Sequence, residues 1–93
     1  MGTLFAIAYH KDALAGLRGI EPKKIRQQIV GRINGLAANP KPQGCAKVQG
    51  MSDEHAEVYR IRQGDHRVLY SIRGDSEILV LDIGHRKDVY RNR

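Results

Sequence analysis

A single cysteine, Cys45, stands in a chain of 93 residues, so no internal disulfide can form and no Cys/His framework for a metal is laid out. Such a chain suits a reducing compartment, and Cys45 reads as a loop or packing residue rather than a nucleophile. No apolar run approaches the length that crosses a bilayer. The N-terminus lacks the basic-then-apolar layout of a secretory signal, and Ala6 occupies the position where a myristoylation motif after Gly2 needs Ser or Thr. A soluble, cytoplasmic protein with no membrane partner is therefore expected. Repeats and low-complexity tracts are missing too, as is the aromatic-interleaved strand motif with which small RNA-binding modules stack bases. What is present is a globular composition, 41% hydrophobic and 28% charged, of a length that fits one domain over residues 1–93 around one modest core.

The formal net charge of +6 points to an anionic partner, with nucleic acid ahead of membrane phosphate. Its distribution is uneven. Residues 1–50 hold eight Lys/Arg against two acids, whereas residues 51–93 hold eight against eight. In the balanced half, seven of the eight bases are arginine, whose rigid planar fork suits bidentate phosphate contact.

Leu4 to Tyr9 is a short apolar run suited to a strand, and Ala13, Leu14 and Leu17 give His10 to Arg18 a weak helical spacing. Glu21-Pro22 opens a second helix, with proline at the first helical position, where no donor is lost. Ile25, Ile29, Ile33 and Leu36 then recur on one face until Asn39-Pro40 and Pro42 stop the helix, and a loop through Gly44 and Gly50 is expected to follow. From Glu57 the period becomes two. Turn signals at Gly64-Asp65 and Gly74-Asp75 divide an antiparallel meander into Glu57 to Gln63, His66 to Arg73 and Ser76 to Ile83. The expected fold is α+β, with an N-terminal strand and two helices packed on one face of a small antiparallel sheet and a short C-terminal segment after it.

If both turns are two-residue hairpins, Tyr59 pairs with Tyr70, Ile61 with Val68, Tyr70 with Leu79 and Val68 with Leu81, giving an apolar face for the helices. On the other face Arg60 opposes Leu69, Arg62 opposes Arg67 and Arg67 opposes Asp82, with Ser71, Ile78 and Val80 completing the surface. An even loop length preserves this assignment and an odd one reverses it. Like charges directly opposite one another destabilise a sheet. The Arg62–Arg67 pair beside Arg60 is therefore either a phosphate site or a set of solvated positions partly relieved by Asp82 and Glu57. The apolar Ile78 and Val80 imply that a partner, or the chain's own end, covers part of that face. His85, Arg86 and Tyr90 follow on the C-terminal segment, within reach of the arginines. His66, at a turn next to Arg67, is structural or phosphate-orienting, and His10 and His55 carry no pattern.

In Tyr59-Arg60-Ile61-Arg62, in Gly64-Asp65-His66-Arg67-Val68-Leu69-Tyr70 and in Ile83-Gly84-His85-Arg86-Lys87-Asp88-Val89-Tyr90 the sequence resembles the RelE/ParE toxin superfamily of type II toxin-antitoxin systems, and within it the RelE branch of mRNA interferases. The resemblance spans nearly the whole chain. Arg67 matches the family's mid-sheet catalytic arginine, and Arg86 and Tyr90 its C-terminal arginine and tyrosine, while Arg60 and Arg62 fall where the well-known member has lysines. The interval from Arg86 to Tyr90 is shorter than in that member. The resemblance implies an endoribonuclease that cuts mRNA in the ribosomal A site and a cognate antitoxin that neutralises it in a hetero-oligomer. It implies no cofactor and no metal.

Metal-free cleavage requires a base for the 2′-hydroxyl proton, an acid for the 5′-oxygen and cations around the phosphorane. Arginine, with a pKa above about 12, is a poor proton carrier. Arg60, Arg62, Arg67 and Arg86 are therefore expected to stabilise charge, leaving Tyr90, His85 and Asp82 to move protons. The resemblance favours Tyr90; the ordinary imidazole pKa of about 6.5, against about 10 for tyrosine, favours His85. The rivals are a ParE-like inhibitor that binds DNA gyrase without catalysis and a small RNA-binding module without activity.

Overall fold

The computed structural model describes residues 4–53 and 56–85, so Arg86, Tyr90 and His55 lie outside the described residues. In chain order the elements are β1 (Ala6–Tyr9), α1 (Lys11–Arg18), α2 (Lys23–Gly35), β2 (Ala46–Asp53), β3 (Ala56–Gln63), β4 (His66–Arg73) and β5 (Glu77–His85). The strands form one sheet in the order β1-β5-β4-β3-β2. This is the expected α+β architecture, with both helices on one face. β1 belongs to the sheet itself and runs parallel to β5, while the other neighbouring pairs are antiparallel. Among the described residues no helix is long and apolar enough to cross a membrane.

The helices are short, and side-chain pattern sets what each buries. At the start of α1 the His10 ring accepts a hydrogen bond from the Asp12 backbone N–H at 3.0 Å. Asp12 in the first turn and Arg18 in the last both complement the helix dipole. α2 begins one residue later than the proline rule suggests, with Pro22 at the N-cap. Its Ile29 and Ile33, with Leu36 just beyond, are buried as their spacing predicts. They meet Ile61, Val68, Tyr70, Ile78, Val80 and Ile83 from the sheet, together with Ala13 from α1. The Arg26 guanidinium donates to the Ile20 carbonyl at 3.0 Å and ties the connection between the helices to α2.

α1 lies so close to β5 that a Cβ at Gly16 would stand 1.9 Å from the Ile83 carbonyl oxygen, a backbone atom that cannot rotate aside. Alanine is the better helix former by about 1 kcal/mol, but overpacking costs about 1–3 kcal/mol and more against fixed atoms. Gly16→Ala is therefore expected to lower stability by about 2 kcal/mol, read as a lower urea midpoint. A variant as stable as the parent contradicts the close approach.

The β3–β4 hairpin has the expected register: Tyr59 opposes Tyr70, Ile61 opposes Val68 and Arg62 opposes Arg67. The β4–β5 register is different. Arg73 opposes Glu77, leaving three residues, Gly74, Asp75 and Ser76, in the loop, so Tyr70 opposes Val80 rather than Leu79. A bulge then takes up Leu81, and beyond it Leu69 opposes Asp82, Val68 opposes Ile83 rather than Leu81, and Arg67 opposes Gly84 rather than Asp82. The odd loop turns Ile78 and Val80 into the helix-side core. Leu79 and Leu81 take their place on the other face, where they pack with Val58, Leu69, Val48 and Met51. β5 also runs on through His85, two residues past the expected end.

β2 replaces the expected loop through Gly50. Its register against β3 shifts between Lys47 and Ser52, and Gly50 sits inside the shift at φ +78°. That irregularity lets Val48 and Met51, three apart in sequence, pack into one cluster, which is why no period of two marks the strand.

The Tyr70 hydroxyl donates to the Pro40 carbonyl at 2.7 Å, fastening the end of the helical layer to the central strand. Burial pushes the Tyr70 pKa up from its ordinary value. A pKa raised in the folded state means that the folded phenol keeps its proton where the unfolded one, near pH 10, loses it. Stability is thus present below about pH 10 and is lost as the pH rises above it. Urea melts at pH 8 and pH 11 should show a steeper alkaline loss for the parent than for Tyr70→Phe, which at neutral pH costs about 1 kcal/mol. Equal alkaline losses would assign the effect elsewhere.

Candidate nucleic-acid interface

The face of the sheet away from the helices carries the arginines. Along one cross-strand row stand Arg62, Arg67 and Gly84; along the next stand Ala46, Arg60, Leu69 and Asp82; along a third stand Val58, Ser71 and Leu79. Arg62 is exposed, whereas Arg60, Arg67 and Asp82 are half-buried. Arg67 has a like charge directly opposite on one side and a residue without a side chain on the other. The Arg67 Nε is itself buried, although the residue as a whole is only half-buried. Leu69 is fully buried between Arg60 and Asp82, so the rows of charge are set on an apolar base rather than on a wholly wet surface.

Asp82 lies on the arginine face as expected, but two residues along, where it is diagonal to Arg67. Its Oδ1 accepts the Ile83 backbone N–H at 2.9 Å, beside the bulge. Glu57 does not relieve the arginines. It stands on the helix side with Tyr59, accepts a hydrogen bond from the Tyr59 hydroxyl at 3.3 Å and pairs with Lys47 at 3.1 Å. The Lys47 ammonium holds the Glu57 carboxyl below the usual carboxylate range. Cys45 is a half-buried free thiol packed against the helix-side core.

The two remaining candidate imidazoles share a place. His66 opposes His85 at the far end of the β4–β5 ladder, with ring centroids 6.0 Å apart and planes at 81°. By strand alternation this pair falls on the helix side, with Val68 and Ile83, and not beside Arg62 and Arg67. It lines a cleft of about 390 Å³ under the end of α1. The structure therefore brings Arg60, Arg62, Arg67 and Asp82 together and sets His85 apart from them, while Arg86 and Tyr90 fall outside the described residues. Two features of the arginine face are not visible in the sequence pattern. Gly84 beside Arg67 was hidden by the register, and the Val48/Met51 pair was hidden by the irregular strand. Among the described residues no three His, Cys, Asp or Glu side chains gather as a set that could hold a metal.

The strand, two helices and meander of this chain are also found together in known proteins. A family model described as the ParE toxin of type II toxin-antitoxin systems, parDE, matches residues 7–90. The chain belongs to this family, and it is a type II toxin of the RelE/ParE superfamily. It is 29% identical over 89 residues to a protein designated RelE1 in Methanocaldococcus jannaschii, spanning 95% of this chain and 97% of that one. Among solved structures it is similar to a chain of the archaeal RelE-RelB complex from Pyrococcus horikoshii OT3, with a TM-score of 0.75 and 26% identity over 94% of this chain and 100% of that chain. A chain of the RelBE2 toxin-antitoxin complex from Mycobacterium tuberculosis shares the fold, with a TM-score of 0.71 and 23% identity over 92% and 95% of the two chains.

Proposed function

We propose that this toxin is an endoribonuclease acting on messenger RNA held in the ribosomal A site. The observation that carries the reading is the Arg62–Arg67 opposition with Arg60 one row away and Gly84 on the far flank of Arg67. Such repulsion is a standing cost to the sheet, and a phosphate backbone seated across the rows would offset it. In the reaction the RNA's own 2′-hydroxyl attacks the adjacent phosphorus. The P–O5′ bond breaks and the leaving 5′-oxygen takes a proton from water, leaving a 2′,3′-cyclic phosphate and a free 5′-hydroxyl. Arg60, Arg62 and Arg67, joined by Arg86, stabilise the charge that grows on the phosphorane oxygens. Tyr90 takes the 2′-hydroxyl proton, and dense positive charge around a phenol lowers its pKa toward that role. Without an efficient acid–base pair the protein depends on the ribosome to hold the RNA in a geometry ready for attack.

Residues 1–93 act as one domain in the cytoplasm, neutralised by a cognate antitoxin. The support for that partner is the assembly of similar chains in RelE-RelB complexes and a face away from the helices that offers basic rows beside Leu79, Leu81, Val48 and Met51. An antitoxin segment with acidic and aliphatic side chains, folding on binding, fits it. If Arg62→Glu with Arg67→Glu leaves the co-purified complex intact at ordinary salt, the antitoxin binds elsewhere.

The description of the matching family model favours a second reading, inhibition of DNA gyrase by binding alone. Mapping the 5′ ends of cellular mRNA after brief induction, beside a gyrase supercoiling assay, separates the two. New 5′ ends within coding regions and unaffected supercoiling are expected. Cleavage should also persist in excess EDTA when ribosome integrity is controlled, and cutting that is lost and then restored by zinc would overturn the metal-independent mechanism.

A further inference from the structure

We propose that His66 and His85 form a two-imidazole chelate for a late first-row divalent ion such as zinc, nickel or copper. The two residues are direct partners across the β4–β5 ladder, a position that holds their Cβ atoms within about 4.5–5.5 Å. Their rings are half-buried, with centroids 6.0 Å apart and planes at 81°. Two metal–imidazole bonds of about 2.0–2.1 Å bridge ring nitrogens up to about 4 Å apart. From centroids 6.0 Å apart, both rings must turn about their side-chain torsions to bring two nitrogens to that separation.

The surroundings suit a cation. The cleft is lined by Ala15, Gly16, Gly19, Ile20, Glu21, Ile83 and Gly84 besides the two histidines. Among the described residues this lining holds one carboxylate, that of Glu21, and no lysine or arginine. The C-terminal turn of α1 forms one wall through Gly16 and Gly19. Waters complete the coordination sphere, since no third protein ligand joins the pair among the described residues. The ion would fasten the end of β5 to the start of β4 on the face opposite the arginines. It is a staple and not a participant in RNA cleavage, so this inference stands independently of the proposed function.

The test uses the full chain free of any affinity tag, titrated with zinc, nickel or copper by calorimetry and thermal melting at pH 7.5. One ion per chain and a Tm higher by several degrees are expected, with both effects lost in His66→Gln and in His85→Gln and kept in His10→Gln. Both should fade at pH 5.5, because metal binding needs neutral imidazoles. In the parent protein, substoichiometric zinc should shift the resonances of two of the four imidazoles, a readout that needs no variant to fold. No rise in Tm for the parent, retained binding in His66→Gln, or shifts confined to other imidazoles would each overturn the chelate.

Discussion

Arg67→Ala is expected to lower single-turnover cleavage on programmed ribosomes by about two to three orders of magnitude, the usual effect of removing one preorganised donor from a charge-stabilising site. Ribosome binding should weaken only modestly, because the guanidinium interacts most strongly with charge that exists in the transition state. The position argues for this separation. Arg67 is half-buried in the central antiparallel strand, its Nε enclosed, between Arg62 and the bare backbone of Gly84. Its charge thus stands next to Arg62 on the row where a phosphate would be seated. Arg67→Lys keeps the charge without the planar fork and should fall between the two. Full activity in Arg67→Ala, with the protein folded and ribosome-bound, would remove the arginine site and put the gyrase-binding reading first.

Tyr90→Phe keeps the ring and removes only the hydroxyl, so if Tyr90 is the base the same assay should lose about two to four orders of magnitude. His85→Ala should cost much less. The ordinary pKa values favour the histidine, but the strand geometry weighs against it. β5 continues through His85 and turns its imidazole toward His66 and the end of α1, on the side of the sheet away from Arg62 and Arg67. Wild-type rates for Tyr90→Phe with an inactive His85→Ala would transfer the role to the histidine.

Much of this fold is legible in the sequence wherever one short-range rule acts alone. The isoleucines at 25, 29 and 33 mark the inner face of α2. Gly64-Asp65 sets the β3–β4 register down to the Arg62–Arg67 opposition, because a two-residue turn leaves no other pairing. Legibility fails where rules overlap. Ser76 is as acceptable in a turn as at the start of a strand, and its inclusion in the loop reverses the sides of Ile78, Leu79 and Val80. Val48 and Met51 carry the apolar content of β2 at a spacing that belongs to no strand until Gly50 is recognised as part of an irregularity. The parallel pairing of β1 with β5 depends on partners some 70 residues apart, which no local pattern encodes. At the candidate site the residue types were readable and their neighbours were not. Two-residue hairpin counting puts Asp82 opposite Arg67, and Gly84 has that position.

The odd loop at Gly74-Asp75-Ser76 and the bulge at Leu81 behave like two compensating frameshifts. The first puts β5 out of phase with β4, the second restores it, and only the stretch between them, from Glu77 to Val80, is read in the shifted frame. An insertion or deletion in either one alone would turn Asp82 away from the arginines and the two histidines away from their cleft, with no change in the chemistry of any residue. Length variation among relatives of this chain should therefore come in matched pairs across these two points, and a chain that breaks the match should be one that has given up the arginine face.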